Sequence, residues 1–174
     1  MERSSTANKM REIRIEKVVL NIGVGEPGEK LEKAKALLER ITGKKAVKTF
    51  AKKRIPEFGV RPGLPIGVKV TLRKDDALKL LPSLLKAIDN TMKKEWFDDE
   101  GNITFGIEEY IHIPNVSYDP SLGVVGLSVT IKLERPGFRV KRRRYRRSKI
   151  GKKHKIKKEE AIEFMKQKFG VKVV

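Results

Sequence analysis

Apolar residues recur along the chain with two different spacings, and these spacings define the elements. Ile13, Ile15, Val18, Val19, Leu20 and Ile22 form a β-branched run closed by Gly23, which predicts a strand. After the punctuation of Glu26-Pro27-Gly28, Leu31, Ala34, Leu37, Leu38 and Ile41 return at helical spacing until Gly43. A short strand is predicted over 46–50, and the alternation of Val68, Val70 and Leu72 marks a third. Asp75 or Asp76 is the expected N-cap of a helix with Leu78, Leu81, Leu84, Leu85 and Ile88 inward, kinked or divided by Pro82. Residues 98–102 read as a turn, 103–113 as one or two strands, and 123–133 as the clearest strand. An amphipathic helix over 158–169, stopped by Gly170, ends the pattern. Strands outnumber helices without strict alternation. The predicted fold is therefore α+β: helices on one face of a mixed, largely antiparallel sheet, a long Pro/Gly loop and a basic C-terminal extension. Residues 1–11 are expected to form a mobile tail, 12–134 an α+β domain, and 135–174 an extension whose final helix packs on that domain.

Charge sharpens this picture. The chain has 174 residues, 41 Lys and Arg against 22 Asp and Glu, and a net charge of +19. Residues 135–158 hold 14 of the basic residues and no acidic one, which leaves 27 against 22, only +5, for the rest. Such a run repels itself unless a polyanion neutralises it. Its cations, Arg139, Lys141, Arg142, Arg143, Arg144, Arg146, Arg147, Lys149, Lys152 and Lys153, are interleaved with Tyr145. Guanidinium forks pair with phosphate and aromatic rings stack on unpaired bases, so the segment points to nucleic acid. It has no apolar face for a membrane. With no Cys, disulfides, thiolate catalysis and Cys-based zinc sites are excluded. No apolar run approaches the roughly 18–20 residues that span a bilayer, and the N-terminus lacks a signal-peptide core, so a cytoplasmic location is expected.

Several motifs are weaker than they look. Gly23-Val24-Gly25-Glu26-Pro27-Gly28 matches G-x-G-x-x-G between a strand and a helix. Glu26 would repel a pyrophosphate there, Pro27 lacks an amide donor, and Lys48 stands where a ribose-binding carboxylate belongs. A dinucleotide-binding site is therefore rejected in favour of a glycine turn, and a nucleotide-dependent enzyme is kept only as a competing hypothesis that NAD or ATP binding would have to rescue. Arg61, Pro62, Gly63, Leu64, Pro65, Ile66 and Gly67 form an exposed, stiffened loop with an apolar tip at Leu64 and Ile66, and long connectors of this kind are commonly functional. The acidic turn at 98–102 lacks the ligand spacing of a calcium loop. His112, in an expected strand, and His154 have no second metal ligand nearby, and Glu108-Glu109 would face opposite sides of a strand. No catalytic constellation, cofactor or metal is implied; the chain reads as a binding protein.

The segments VVLNIGVGEPGEKLEKA, TGKKAVKTFAKKRIPEFGVRPGLPIGVKVTLR, FGIEEYIHIP and SYDPSLGVVGLSVTI together resemble the large-subunit ribosomal protein five family, which binds 5S rRNA. The C-terminal ERPGFRVKRRRYRRSKIGKKHKIKKEEAIEFMKQKFGVKV is similar to its archaeal and eukaryotic branch. The similarity runs from about Glu12 to Val174. It implies 5S rRNA contacts at Asn21, Gly23, Val24, Gly25, Lys45, Thr49, Lys52, Lys53, Arg54 and Phe58, with a core role for Phe58 left open. It also implies that the loop from Arg61 to Gly67 reaches the peptidyl-site tRNA. The extension would lie against 23S-type rRNA and order only on assembly. Further implied partners are the large-subunit ribosomal protein eighteen family and a small-subunit head protein at an intersubunit bridge. The competing reading is a non-specific basic RNA-binding protein or RNA chaperone.

Overall fold

Strand β1 (Arg14–Gly23) buries Val18, Leu20 and Ile22 on one side and leaves the alternate positions on the other, as a period of two requires. It is the middle strand of a five-stranded sheet ordered β2 (Val47–Phe50), β3 (Pro65–Leu72), β1, β6 (Leu127–Glu134), β5 (Asn102–Ile107). Every pairing in that sheet is antiparallel. The computed structural model describes residues 8–114, 116, 118, 120 and 123–174. The polar segment 1–7 and positions Asn115, Ser117, Asp119, Ser121 and Leu122 lie outside the described residues.

One face of the sheet is closed by helices. Helix α1 (Glu29–Thr42) contributes Leu31, Ala34, Leu37 and Leu38, and α2 (Lys74–Lys86) contributes Ala77, Leu81, Leu84 and Leu85. These meet the buried residues of β1, β3, β5 and β6 in one apolar cluster. Gly43 ends α1 at φ 63°, donating its N–H to Glu39 O at 2.8 Å, a left-handed position that a side chain would strain. The last helix, α4 (Lys158–Phe169), sends Ala161 and Met165 into the same cluster. Beyond it, β7 (Lys172–Val173) pairs in parallel with β4 (Thr91–Met92). That short pair holds the one parallel pairing among the described residues, so the mixed character expected of the main sheet belongs to a separate ribbon.

The structure departs from the sequence pattern at several points. Arg73, not an aspartate, occupies the N-cap of α2; Asp75 and Asp76 fall in its first turn, where carboxylates favour the helix dipole. Helix α2 runs on through Pro82 undivided. The proline withholds a donor from the Leu78 carbonyl, and Leu78 is 40% exposed rather than inward, so water can replace that donor. Strand β5 stops at Ile107, and Tyr110–His112 is a 3-10 turn, so His112 and the Glu108-Glu109 pair are not strand residues. Strand β6 starts at Leu127 rather than Gly123. Strand β3 starts at Pro65, earlier than its alternation suggested. Lys9–Arg11, counted with the tail, form a 3-10 turn, and Arg11 O accepts a hydrogen bond from Arg135 Nε at 3.1 Å.

The extension is folded against the domain rather than splayed away from it. The acidic partners absent from residues 135–158 come from the domain and from the first turn of α4. A short helix α3 (Arg139–Arg142) places Arg142 between Glu16 and Glu134, 2.8 Å from the latter. Glu100 receives Lys155 at 2.9 Å and Lys141 at 3.6 Å. Arg135, only 5% exposed, reaches Glu160 at 2.7 Å and the carbonyls of His154 and Lys155 at 3.4 and 3.2 Å. A buried guanidinium needs such saturation of its donors.

Candidate nucleic-acid interface

Among the described residues, the long helices α1, α2 and α4 leave the opposite face of the sheet open, and the register fixes what it presents. One row runs across all five strands through Val47, Lys69, Asn21, Ser128 and Gly106. The next holds Thr71, Val19, Thr130 and Thr104, and a third Lys17, Lys132 and Asn102. At the other end Thr49, Gly67 and Gly23 lie side by side. The face is therefore a platform of hydroxyls, amides and glycines, with lysines at intervals, on strands about 4.8 Å apart. Its polar groups brace one another: Thr104 and Thr130 hydroxyls are 3.2 Å apart, and Ser128 Oγ donates to Asn21 O at 3.2 Å.

The predicted residues divide between this face and its rim. Asn21, Gly23 and Thr49 are on the face; Lys45 and Lys52-Lys53-Arg54 stand exposed beside it, without carboxylate partners among the described residues. Lys48, one position from Thr49, points to the helix side and pairs with Glu32, whose carboxyl is held below its ordinary value by that hydrogen bond. The Gly23-Val24-Gly25 turn does not aim its amides outward. Val24 and Gly25 both donate to Ile66 O, at 2.9 and 2.8 Å, so the turn binds β3 and has no free amide nest for an anion.

The β2–β3 connection is a hairpin rather than an open loop. Ala51 N–H donates to Leu64 O at 2.8 Å, Gly63 N–H to Ala51 O at 2.9 Å, and Ile55 and Val60 exchange both backbone hydrogen bonds. Of the predicted loop, Arg61, Pro62, Gly63 and Leu64 form a turn at its base, whereas Pro65, Ile66 and Gly67 are strand residues. Leu64 and Ile66 are half-buried. The apolar tip is instead Ile55 and Phe58, on a 3-10 turn over Pro56–Phe58 that Gly59 closes at φ 62°. Phe58 is 72% exposed, which excludes a core role.

In the extension, residues 143–147 form a tight basic turn. Arg143 Nε donates to Arg146 O at 2.8 Å and Arg147 Nε to Lys141 O at 2.9 Å, so two arginines brace the turn from within. Tyr145 stands out at its apex, 73% exposed, with the Arg144 guanidinium 5.3 Å from the ring centroid. Arg139, Lys149, Lys152 and Lys153 are exposed. Arg142, by contrast, is held by Glu16 and Glu134. Sequence reasoning missed Lys17, Lys69, Thr71, Thr104, Gly106, Ser128, Thr130 and Lys132 as a set. The signal was present, because each occupies the polar phase of its strand's alternation, but only the register joins the phases of five strands into one surface.

Known proteins share this chain's sequence over its whole length. The family profile described as Ribosomal protein L5 matches residues 8–61, and the profile of the C-terminal part of the same ribosomal family matches residues 65–164. The match thus begins upstream of Glu12. Large ribosomal subunit protein uL5 of Nanoarchaeum equitans is 56% identical over 166 residues, covering 95% of this chain and 98% of its own length. The protein of that name from Sulfurisphaera tokodaii is 52% identical over 175 residues, covering 100% and 99%. The one from Pyrobaculum aerophilum is 54% identical over 164 residues, covering 94% and 92%.

Proposed function

The chain belongs to the ribosomal protein L5 family, archaeal type, and from that premise we propose that its open sheet face and basic rim bind 5S rRNA and anchor it in the central protuberance. It is a structural, non-enzymatic component of the large ribosomal subunit, and its place is the cytoplasmic ribosome.

The observation that carries the reading is the composition of the open face. An RNA helix presents a wide, shallow groove lined with 2′-hydroxyls and edged by phosphates. Thr, Ser and Asn side chains can exchange hydrogen bonds with hydroxyls and base edges, glycines let the RNA backbone approach closely, and Lys17, Lys69 and Lys132 can neutralise phosphates. Lys45, Lys52, Lys53 and Arg54 extend the cationic field past the sheet edge. The hairpin end, with exposed Ile55 and Phe58 above the Arg61–Gly63 turn, is the part that reaches the peptidyl-site tRNA, by shape and apolar contact rather than by sequence. The extension lies on 23S-type rRNA through Tyr145 and its exposed cations. The ribosomal protein eighteen family and a small-subunit head protein complete the partners of this reading.

The test is equilibrium binding to 5S rRNA at elevated salt with an excess of unrelated structured RNA. Tight binding that survives is expected, and Lys52→Ala with Lys53→Ala should lower the slope of log affinity against log salt by about 0.7–0.9 for each phosphate no longer neutralised. Equal affinity for the competitor would replace the anchor reading with the non-specific RNA-binding protein or chaperone.

A further inference from the structure

The extension and the end of the sheet enclose a cleft of about 800 Å³, distinct from the flat platform. Its lining is of two kinds. Phe138, Ile150 and Ile156 make an apolar floor. Ile156 is fully buried, and Phe138 is fixed by an edge-on contact with the His154 ring at 5.7 Å, whose Nε2 lies 2.8 Å from Pro136 O. The rim is cationic, with Lys132, Arg147, Lys149 and Lys152 among its residues. Two carboxylates also line the cleft, but Glu16 is neutralised by Arg142 and Arg73, and Glu100 by Lys141 and Lys155. Lys149 and Lys152 have no carboxylate partner among the described residues, so the rim keeps an excess of positive charge.

Size and chemistry together restrict the occupant. Small-molecule sites run from roughly 300 to 1,000 Å³ and combine an apolar wall with a few polar anchors. A duplex cannot enter a cleft of this size, whereas one nucleotide has both required parts: a flat base for the floor and a phosphate for the rim. We propose that the cleft takes a single unpaired nucleotide, its base against Phe138 and Ile150 and its phosphate at Lys149 and Lys152. Lys132 belongs both to the cleft and to the outermost row of the open face. A chain lying on the platform can therefore turn one unstacked nucleotide into the cleft without leaving the protein surface. The RNA source of the nucleotide rests on the ribosomal reading above; the nucleotide chemistry of the cleft does not.

The experiment has two arms. In the first, the full chain is titrated with AMP and, separately, with inorganic phosphate while backbone amide NMR shifts are followed. AMP is expected to shift the amides of Phe138, Ile150 and Ile156 in a saturable way, and phosphate to leave the floor amides nearly unmoved. Equal responses to the two, or no response at the floor, would overturn the proposal, and this arm needs no variant. In the second, Ile150→Trp, which fills the cleft and removes no charge, is compared with the unaltered chain for 5S rRNA and 23S-type rRNA fragments. Loss of one stacked base should weaken the affected RNA roughly 5- to 100-fold with an unchanged salt slope. AMP binding by the unaltered chain, with RNA affinity unaltered in the variant, would overturn the RNA source and assign the cleft to a free nucleotide. AMP binding by a chain that fails to select 5S rRNA would end the anchor reading and leave the cleft assignment standing.

Discussion

Gly67 shows how a single residue can be set by its neighbours rather than by its own backbone. Its φ lies outside the left-handed region, yet a Cβ at this position would fall 2.8 Å from Thr49 Oγ1 and 2.9 Å from Ile22 O. The second contact is backbone on the adjacent strand and cannot rotate away. Gly67→Ala should therefore destabilise the fold by about 1–3 kcal/mol, as overpacking does, with urea unfolding as the measure. In the sequence the residue closed the exposed, stiffened loop that begins at Arg61. In the structure it lies between Gly23 of β1 and Thr49 of β2 on the open face. Phe58 went the other way. An aromatic residue between Pro56 and Gly59 could have been core or contact, and its 72% exposure assigns it to the surface. Phe58→Asp is expected to leave 5S rRNA affinity within experimental error and to impair tRNA-dependent steps on assembled ribosomes. Unimpaired translation with this variant would remove the hairpin end from the tRNA reading.

Among elements, the extension was the hardest to read correctly. Fourteen cations without one anion over 135–158 suggested a segment that waits for RNA, but Glu16 and Glu100, far away in sequence, and Glu134 and Glu160, just outside its two ends, supply the missing charge. This makes its docking dependent on acid. The hydrogen bond from Lys155, with the charges of Lys141 and Lys155, holds the Glu100 carboxyl below its ordinary value of 4.5. For Glu160, burial acts upward, but the Lys157 amide and the Arg135 guanidinium outweigh it and the carboxyl is again lowered. Both groups are more acidic folded than unfolded. Their contribution is therefore complete above about pH 4.5 and is lost as pH falls below it, through the lower folded-state values. Hydrogen exchange of the extension amides, corrected for its intrinsic pH dependence, should be constant from pH 7 to about 5 and lose protection further down. Glu100→Gln should flatten part of that loss.

For the whole molecule, net charge sets two salt effects of opposite sign. With +19 on 174 residues, the folded chain repels itself, and raising salt to about 1 M shortens the screening length to roughly 3 Å. The free protein should therefore melt at a higher temperature in high salt, read by circular dichroism, while its affinity for rRNA falls over the same range. A melting temperature that dropped with salt would mean that the pairs around Glu16, Glu100 and Glu134 outweigh the general repulsion. In the structure the acidic residues pair with Arg135, Lys141, Arg142 and Lys155, and on the proposed reading Lys149, Lys152, Lys153 and the Arg139 side chain remain for phosphate.

The five strands of the main sheet, the three long helices and most of their buried positions were legible in the chain, because alternation and 3.6-residue spacing are local properties that each segment carries by itself. So were the terminal helix with its glycine stop and the excess of basic charge. Three things needed the tertiary structure. Strand order and register turned isolated polar positions from Lys17 to Lys132 into one face, since a surface made by five strands is a property of their pairing. The hairpin exchanged the apolar tip from Leu64 and Ile66 to Ile55 and Phe58, because the backbone hydrogen bonds of Ala51 and Ile55 determine where the chain reverses. The cleft beside Phe138 and Ile150 needs the extension held against the sheet, by Ile156, Ala161 and Met165 in the core and by ion pairs to Glu16 and Glu100, and both depend on distance in space, not along the chain.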